Sequence, residues 1–338
     1  MEKKPHYIVL ALLAALLYAI STPFSKALLQ QVPSTILAAL LYFGAGIGVG
    51  LLWLCRKKKQ ELRKKNLTRK DLPYTIGMIL LDIAAPVCLM AGLTTATAAN
   101  VSLLNNFEIV ATSLIAFAVF KEKISGRLWA AIALITAASL LLSFENASSL
   151  QFSRGSLFVL LACVCWGLEN NCTRKISDRN IYEIVVLKGI FAGLGSLLIG
   201  LLQGQRLPAG RYIGLSLLLG FVAYGLSIFV YIAAQRGIGA AKTSAYYAVA
   251  PFLGALLSLL VLHDRPGPLF YAALAVMAVG TGLVSWDTMV VHHKHVHKHI
   301  ITDQDGNTYV LRHSHYHNHL ANHVGEHHHH HIGLHGIA

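Results

Sequence analysis

The chain has 338 residues, of which 55% are hydrophobic and only 13% charged, about half the roughly 25% charged share of an average soluble domain. That balance excludes an ordinary soluble globular enzyme and points to a polytopic membrane protein embedded in the lipid bilayer. The formal net charge of +13 does not indicate nucleic acid as a partner, because nine of the 28 basic residues fall in one segment, Arg56 to Lys70, between two apolar stretches. A basic run beside a hydrophobic span reads as a loop retained in the cytoplasm.

Taken in chain order, apolar stretches lie near 7–27, 34–55, 73–92, 96–119, 127–144, 155–174, 183–202, 212–234, 240–262 and 268–286. Each approaches the roughly 20 residues needed to cross the bilayer. Lys3 and Lys4 precede the first, as in a signal peptide, but no A-x-A cleavage site follows it, and nine further spans do. With the N-terminus inside, 22 Lys and Arg fall on inner segments and five on outer ones, while Lys188 lies within a span. The positive-inside rule then puts both termini in the cytoplasm, with the chain in the inner or plasma membrane. The five cysteines (Cys55, Cys88, Cys163, Cys165 and Cys172) contain no C-x-x-C pair and read as small apolar core residues. The G-x-x-x-G spacings Gly44/Gly48, Gly46/Gly50 and Gly189/Gly193 predict close helix packing. A homodimer is left open.

Residues 91–142 lie over 233–284 without a gap, at an offset of 142. Lys121-Glu122-Lys123 falls on His263-Asp264-Arg265, Trp129 on Tyr271, and Ala98-Ala99 on Ala240-Ala241. Upstream, Tyr18-Ala19 before Lys26 matches Trp166-Gly167 before Arg174. The expected fold is therefore an all-α membrane protein of ten transmembrane helices, built as two five-helix repeats (1–144 and 145–286) followed by a tail at 287–338. An odd number of spans per repeat forces the second to cross the membrane in the opposite sense, which is the inverted repeat of secondary transporters.

The two five-span units, the aromatic-Gly start at Trp166-Gly167, Pro251 in the ninth span, and Glu122 and Asp264 closing the fourth and ninth spans resemble the EamA family of the drug/metabolite transporter superfamily, over about residues 7–286. The resemblance implies a carrier with a central cavity and substrates ranging from amino acids to metabolites and drugs. One departure stands out. Where the ninth span has Ala250-Pro251, the fourth has Glu108-Ile109, a carboxylate beside the missing proline.

Ionisable groups within spans are costly and are functional candidates by default. At 1.5 Å per residue, Asp82 and Glu108 lie about 13 Å and about 16 Å from the inner ends of their helices, near the midplane. Glu108 follows Asn105 and Asn106, and Asn105 shares its helix face. A carboxylate with amide oxygens suits a cation or a proton; the alternative is hydrogen bonding to neighbouring helices. Glu169 and Lys188 sit at similar depth on consecutive antiparallel spans and read as a structural ion pair, with substrate contact as the alternative. The repeat offset sets Tyr246 and Tyr247 opposite Leu104 and Asn105, where aromatic faces would suit an organic cation or amine, or simply pack.

After Trp286 the composition changes, and 16 of the 18 histidines lie between His292 and His335. Only His327 to His331 resemble an affinity tag. His293, His295, His297 and His299 alternate, as do His313, His315, His317 and His319, around a strand–turn–strand pattern. A three-residue loop ending at Gly306 would pair His297 with His313 and His295 with His315. A two-residue Asp-Gly turn would pair histidines with other residue types, and a chain that orders only around metal is a further alternative. Neutral imidazoles in such a ladder suit Zn²⁺, Ni²⁺ or Co²⁺. No cofactor is required by this reading, and no H-E-x-x-H, G-x-S-x-G or P-loop marks an enzyme. The expected function is export of a small solute, a metabolite, with metal bound by the tail. A divalent transition-metal exporter and a membrane-anchored metal sensor or store are the competing readings.

Overall fold

Long runs free of charge can satisfy their backbone polar groups in lipid only as helices, and the computed structural model of the protein follows that rule. It describes residues 5–55, 66–121, 124–144, 153–176, 179–238, 240–302 and 308–320. Among them, ten helices are long and apolar enough to cross a membrane: His6–Leu28, Ser34–Cys55, Arg69–Thr95, Ala98–Val119, Gly126–Ser143, Arg154–Lys175, Tyr182–Leu202, Gly210–Ala234, Thr243–Val261 and Pro268–Met289. We call these spans 1 to 10. Residues 56–65 of the basic loop, Glu122, and the tail beyond residue 320 lie outside the described residues.

Small residues such as Ala11, Ala14, Ala38, Ala85 and Ala162 are buried, whereas Leu51, Leu80, Leu198 and Leu202 are exposed on the outside of the bundle. Lipid provides no hydrophobic drive between helices, so small residues that let backbones approach hold the bundle together. Gly46 and Gly189 illustrate the close approach: a Cβ on Gly46 would stand 2.9 Å from the backbone nitrogen of Ile190. The predicted role of these glycines in close packing holds there. Of the five free cysteines, only Cys163 is buried and Cys55 is exposed, which corrects the expectation that all are core residues.

The spans pack across the two halves. Span 2 lies against span 7, span 5 against span 10, span 4 against span 9, span 3 against span 6, and span 1 against span 8. Exchanging each span with the one five further on leaves this pattern unchanged, as a pseudo-two-fold relation between the halves requires. Backbone details repeat as well. The C-cap Lys121 has φ 55° and His263, at the 142 offset, has φ 53°.

Spans 4 and 9 are each interrupted. Span 4 consists of Ala98–Leu104 and Phe107–Phe120, and span 9 of Ala240–Tyr247 and Ala250–Val261. At the first break Asn106 N–H bonds Leu103 O (3.1 Å) and Ile109 N–H bonds Asn106 O (3.0 Å); at the second, Val249 N–H bonds Tyr246 O (3.5 Å) and Phe252 N–H bonds Val249 O (3.1 Å). These i→i−3 bonds tighten the helix locally. They match at an offset of 143, so the gapless alignment slips by one here and Glu108 corresponds to Pro251 itself. Tyr246 and Tyr247 accordingly stand opposite Leu103 and Leu104 rather than Leu104 and Asn105.

Span 10 runs to Met289, three residues beyond the expected end at 286, and Ser125 at the start of span 5 donates to Asp287 (2.6 Å). The chain then passes directly into strand β1, Val290–Thr302, which pairs antiparallel with β2, Thr308–Leu320. The backbone register sets His295 opposite His315 and His297 opposite His313.

Candidate functional site

A cavity of about 490 Å³ lies between the halves and is lined by nine of the ten spans, with span 5 alone absent. Its lining reaches Ser244 and Thr288, at the ends of spans 9 and 10 on the side of the N-terminus. Among the described residues, none at the opposite ends of the spans lines it. There, Lys26 Nζ at the end of span 1 donates to the carbonyls of Leu93 (2.6 Å), Thr94 (3.2 Å) and Ala96 (2.9 Å). Asp264, just beyond span 9, accepts from Ala99 N–H (3.1 Å). A cation on the carbonyl end of span 3 and an anion on the amide end of span 4 each complement the helix dipole they meet. The cavity lining thus lies toward the N-terminal side, while these contacts join spans 1 and 3 and spans 4 and 9 at the other.

Inside it, Lys188 Nζ stands 3.1 Å from Asp82 Oδ2 and 2.9 Å from Glu169 Oε1. The expected Glu169–Lys188 pair is present. Asp82 joins this pair, and all three line the cavity as one carboxylate–ammonium–carboxylate group. Asp82 and Glu169 are buried, and desolvated carboxylates persist only with such partners. Tyr42 OH donates to Asp82 Oδ1 (2.9 Å), Trp166 Nε1–H donates to Tyr42 OH (3.3 Å), and Thr173 Oγ1 donates to Glu169.

Glu108 forms a second centre. It sits in the first turn of Phe107–Phe120, where the half-helix N-terminus favours a negative charge. Asn170 Nδ2 donates to its Oε1 at 2.7 Å and approaches Thr112 Oγ1 at 3.3 Å. The two asparagines separate in role although both line the cavity. Asn106 is tied into the structure: its Nδ2 donates to Leu103 O (3.1 Å) and its Oδ1 accepts from Thr281 of span 10 (3.3 Å). Asn105 Oδ1 is buried with no hydrogen-bond partner among the described residues. With all four groups ionised, three carboxylates face one ammonium.

Aromatic rings form the rest of the wall: Tyr18, Tyr42, Trp166, Tyr224 and Tyr247. Tyr18 meets Tyr224 edge-on at 5.8 Å, and Tyr247 meets Tyr231 at 5.0 Å. Tyr247 lines the cavity as expected; Tyr246 does not, since one residue of rotation on a helix turns a side chain by about 100°. Sequence reasoning did not select Tyr18, Trp166 or Asn170. The first two carried a signal, because they are the repeat-matched aromatics at Tyr18-Ala19 and Trp166-Gly167. Among the described residues, no group of three or more His, Cys, Asp and Glu side chains is arranged to hold a metal ion.

The model of the EamA-like transporter family matches residues 6–144 and 153–286. An "Uncharacterized transporter" of Methanothermobacter thermautotrophicus is 23% identical over 295 residues, which cover 81% of this chain and 84% of that protein. A crystal structure of another protein is similar with a TM-score of 0.60 at 19% identity, covering 85% of this chain and 98% of that one. At that identity the likeness is one of fold.

Proposed function

The chain belongs to the EamA-like transporter family, and from that premise we propose that it is a secondary carrier exporting a small organic solute that bears a cationic amine. One observation carries the reading: a 490 Å³ cavity holds three carboxylates against one lysine, within a wall of tyrosine and tryptophan. A cationic headgroup gains from the unbalanced carboxylate and from the aromatic faces together. Lys188 already serves Asp82 and Glu169, so Glu108 is the carboxylate left to meet the solute.

The positive-inside count makes the N-terminal side cytoplasmic, so the solute enters the open cavity from the cytoplasm while Lys26 and Asp264 hold the far side shut. Rocking of one half against the other then exposes the cavity to the outside, and a proton taken by Glu108 displaces the cation on the return. This is an integral membrane transporter working by alternating access, with no chemical step.

A transition-metal cargo is the weaker reading. Among the described residues the cavity lining offers oxygen donors and neither imidazole nor thiolate, and oxygen suits harder cations. The His-rich tail we read as a metal-binding segment separate from the cavity.

Purified protein in proteoliposomes tests the cargo class. A panel of small organic ammonium compounds, a matched panel of carboxylates, and Zn²⁺, Co²⁺ and Ni²⁺ are each offered under an opposing proton gradient. Flux of ammonium compounds alone, removed by Glu108→Gln, is the expected result. Flux confined to carboxylates or to metals overturns the reading.

A further inference from the structure

Four tyrosines of the cavity wall come from four different spans and form one unbroken run of ring contacts. Tyr42 of span 2 lies 6.0 Å from Tyr224 of span 8, Tyr224 lies 5.8 Å from Tyr18 of span 1, and Tyr18 lies 5.9 Å from Tyr247 of span 9. Successive ring planes are inclined by 39°, 84° and 42°, so the rings do not lie flat on one another. A ring attracts a cation that comes within about 6 Å of its centroid. Centroids this close together let one cation in the cavity meet two rings of the run at once. Tyr224 belongs to a π-helical turn of span 8, Phe221–Leu226, a rare backbone form that is frequent at functional sites.

Several polar groups around these rings are already engaged within the protein. Tyr42 OH donates to Asp82 Oδ1 (2.9 Å), Tyr247 OH stands 3.4 Å from Ser227 Oγ, and Ser227 Oγ donates to the carbonyl of Ala14 (2.9 Å). Glu108 gives one oxygen, Oε1, to Asn170 (2.7 Å), whose amide also approaches Thr112 Oγ1 (3.3 Å). Asn105 Oδ1 has no partner among the described residues, which suits the single N–H of a tertiary ammonium. A primary ammonium brings three N–H donors, and each one left unpaired after desolvation costs free energy. A trimethylammonium brings none, and calls only for an opposite charge and aromatic faces. The geometry points to a site that selects for N-methylation: it takes a tertiary or quaternary ammonium on the tyrosine run, with Glu108 as counter-charge, in preference to the primary amine of the same skeleton. The inference rests on reading the cargo as a cationic amine, and narrows that reading.

Matched sets of primary, monomethyl, dimethyl and trimethyl ammonium compounds on hydroxyethyl, butyl and benzyl skeletons test it. Uptake of each into proteoliposomes of the full-length protein is read by mass spectrometry at equal pH inside and out, less that of protein-free vesicles. Apparent affinity is expected to rise at least tenfold from the primary to the trimethyl form. Tyr18→Leu and, independently, Tyr224→Leu should reduce that ratio by about twofold or more, the worth of one ring, whereas Tyr18→Phe retains it. Coelution with the unaltered protein on size exclusion shows that a variant is folded, and the ratio in the unaltered protein stands as a test without any variant. The uncharged 3,3-dimethylbutan-1-ol, which has the shape of the trimethylated hydroxyethyl compound, should not compete with it. Primary amines taken up as tightly as their trimethyl forms, or more so, overturn the inference and leave the amine reading standing. A ratio unchanged in both leucine variants, or equal competition by the uncharged alcohol, overturns it as well. Absence of protein-dependent uptake of every ammonium compound overturns both the inference and the amine reading.

Discussion

Glu108 and Pro251 occupy one structural position in the two halves, each in the first turn of the half-helix that follows a break. Proline is tolerated there because its missing N–H has no intrahelical partner to lose. Glutamate is favoured there because its charge complements the helix dipole. Both residues line the cavity. The same backbone device therefore carries a chemically silent residue in one half and an ionisable one in the other. Architecture follows the repeat, and chemistry follows the departure from it.

The ion-pair group tests that contrast most severely, because its members come from one span of the first half and two of the second. Lys188→Met leaves Asp82 and Glu169 buried without their shared cation, and should cost about 3–5 kcal/mol, read as a lower denaturation midpoint in detergent. Combining it with Asp82→Asn and Glu169→Gln should recover much of that loss. A single variant as stable as the unaltered protein would show that the three groups are not coupled. At the contact between the halves, Gly46→Val forces a side chain onto the span 7 backbone and should destabilise by about 1–3 kcal/mol. An unchanged midpoint there would contradict the close approach at Gly189.

The aromatic wall gives a finer comparison. Tyr247→Ala should weaken the apparent affinity for an ammonium solute by about 0.5–2 kcal/mol, the worth of a cation–π contact. Tyr246→Phe, one residue away and off the cavity, should leave it unchanged. Equal effects would remove the directional argument.

Much of this arrangement was legible before the structure. The ten spans follow from hydropathy because lipid permits few alternatives, and the choice of Asp82 and Glu108, which both line the cavity, follows from the cost of a carboxylate within a span. The interruption of span 4 was not legible, since neither proline nor glycine marks Asn105-Asn106. Its cause is local: the Asn106 amide bonds the carbonyl of Leu103, competing with the regular helix ladder. The grouping of Asp82 with Glu169 and Lys188 was hidden for a different reason. It depends on span 3 packing beside spans 6 and 7, a contact between halves that periodicity within one helix does not encode. The one-residue slip that equates Glu108 with Pro251 was masked by an alignment made without gaps.

The central claim is that Glu108 couples the solute to the proton. Proteoliposomes containing the Glu108→Gln variant should be compared with the unaltered protein in two modes, proton-driven accumulation of an ammonium solute and its exchange at equal pH on both sides. The account predicts that proton-driven accumulation disappears in the variant, while exchange persists only at raised solute concentration, because the counter-charge is lost but the aromatic wall still holds the cation and the halves still rock. Accumulation that persists at the unaltered rate in Glu108→Gln would contradict it.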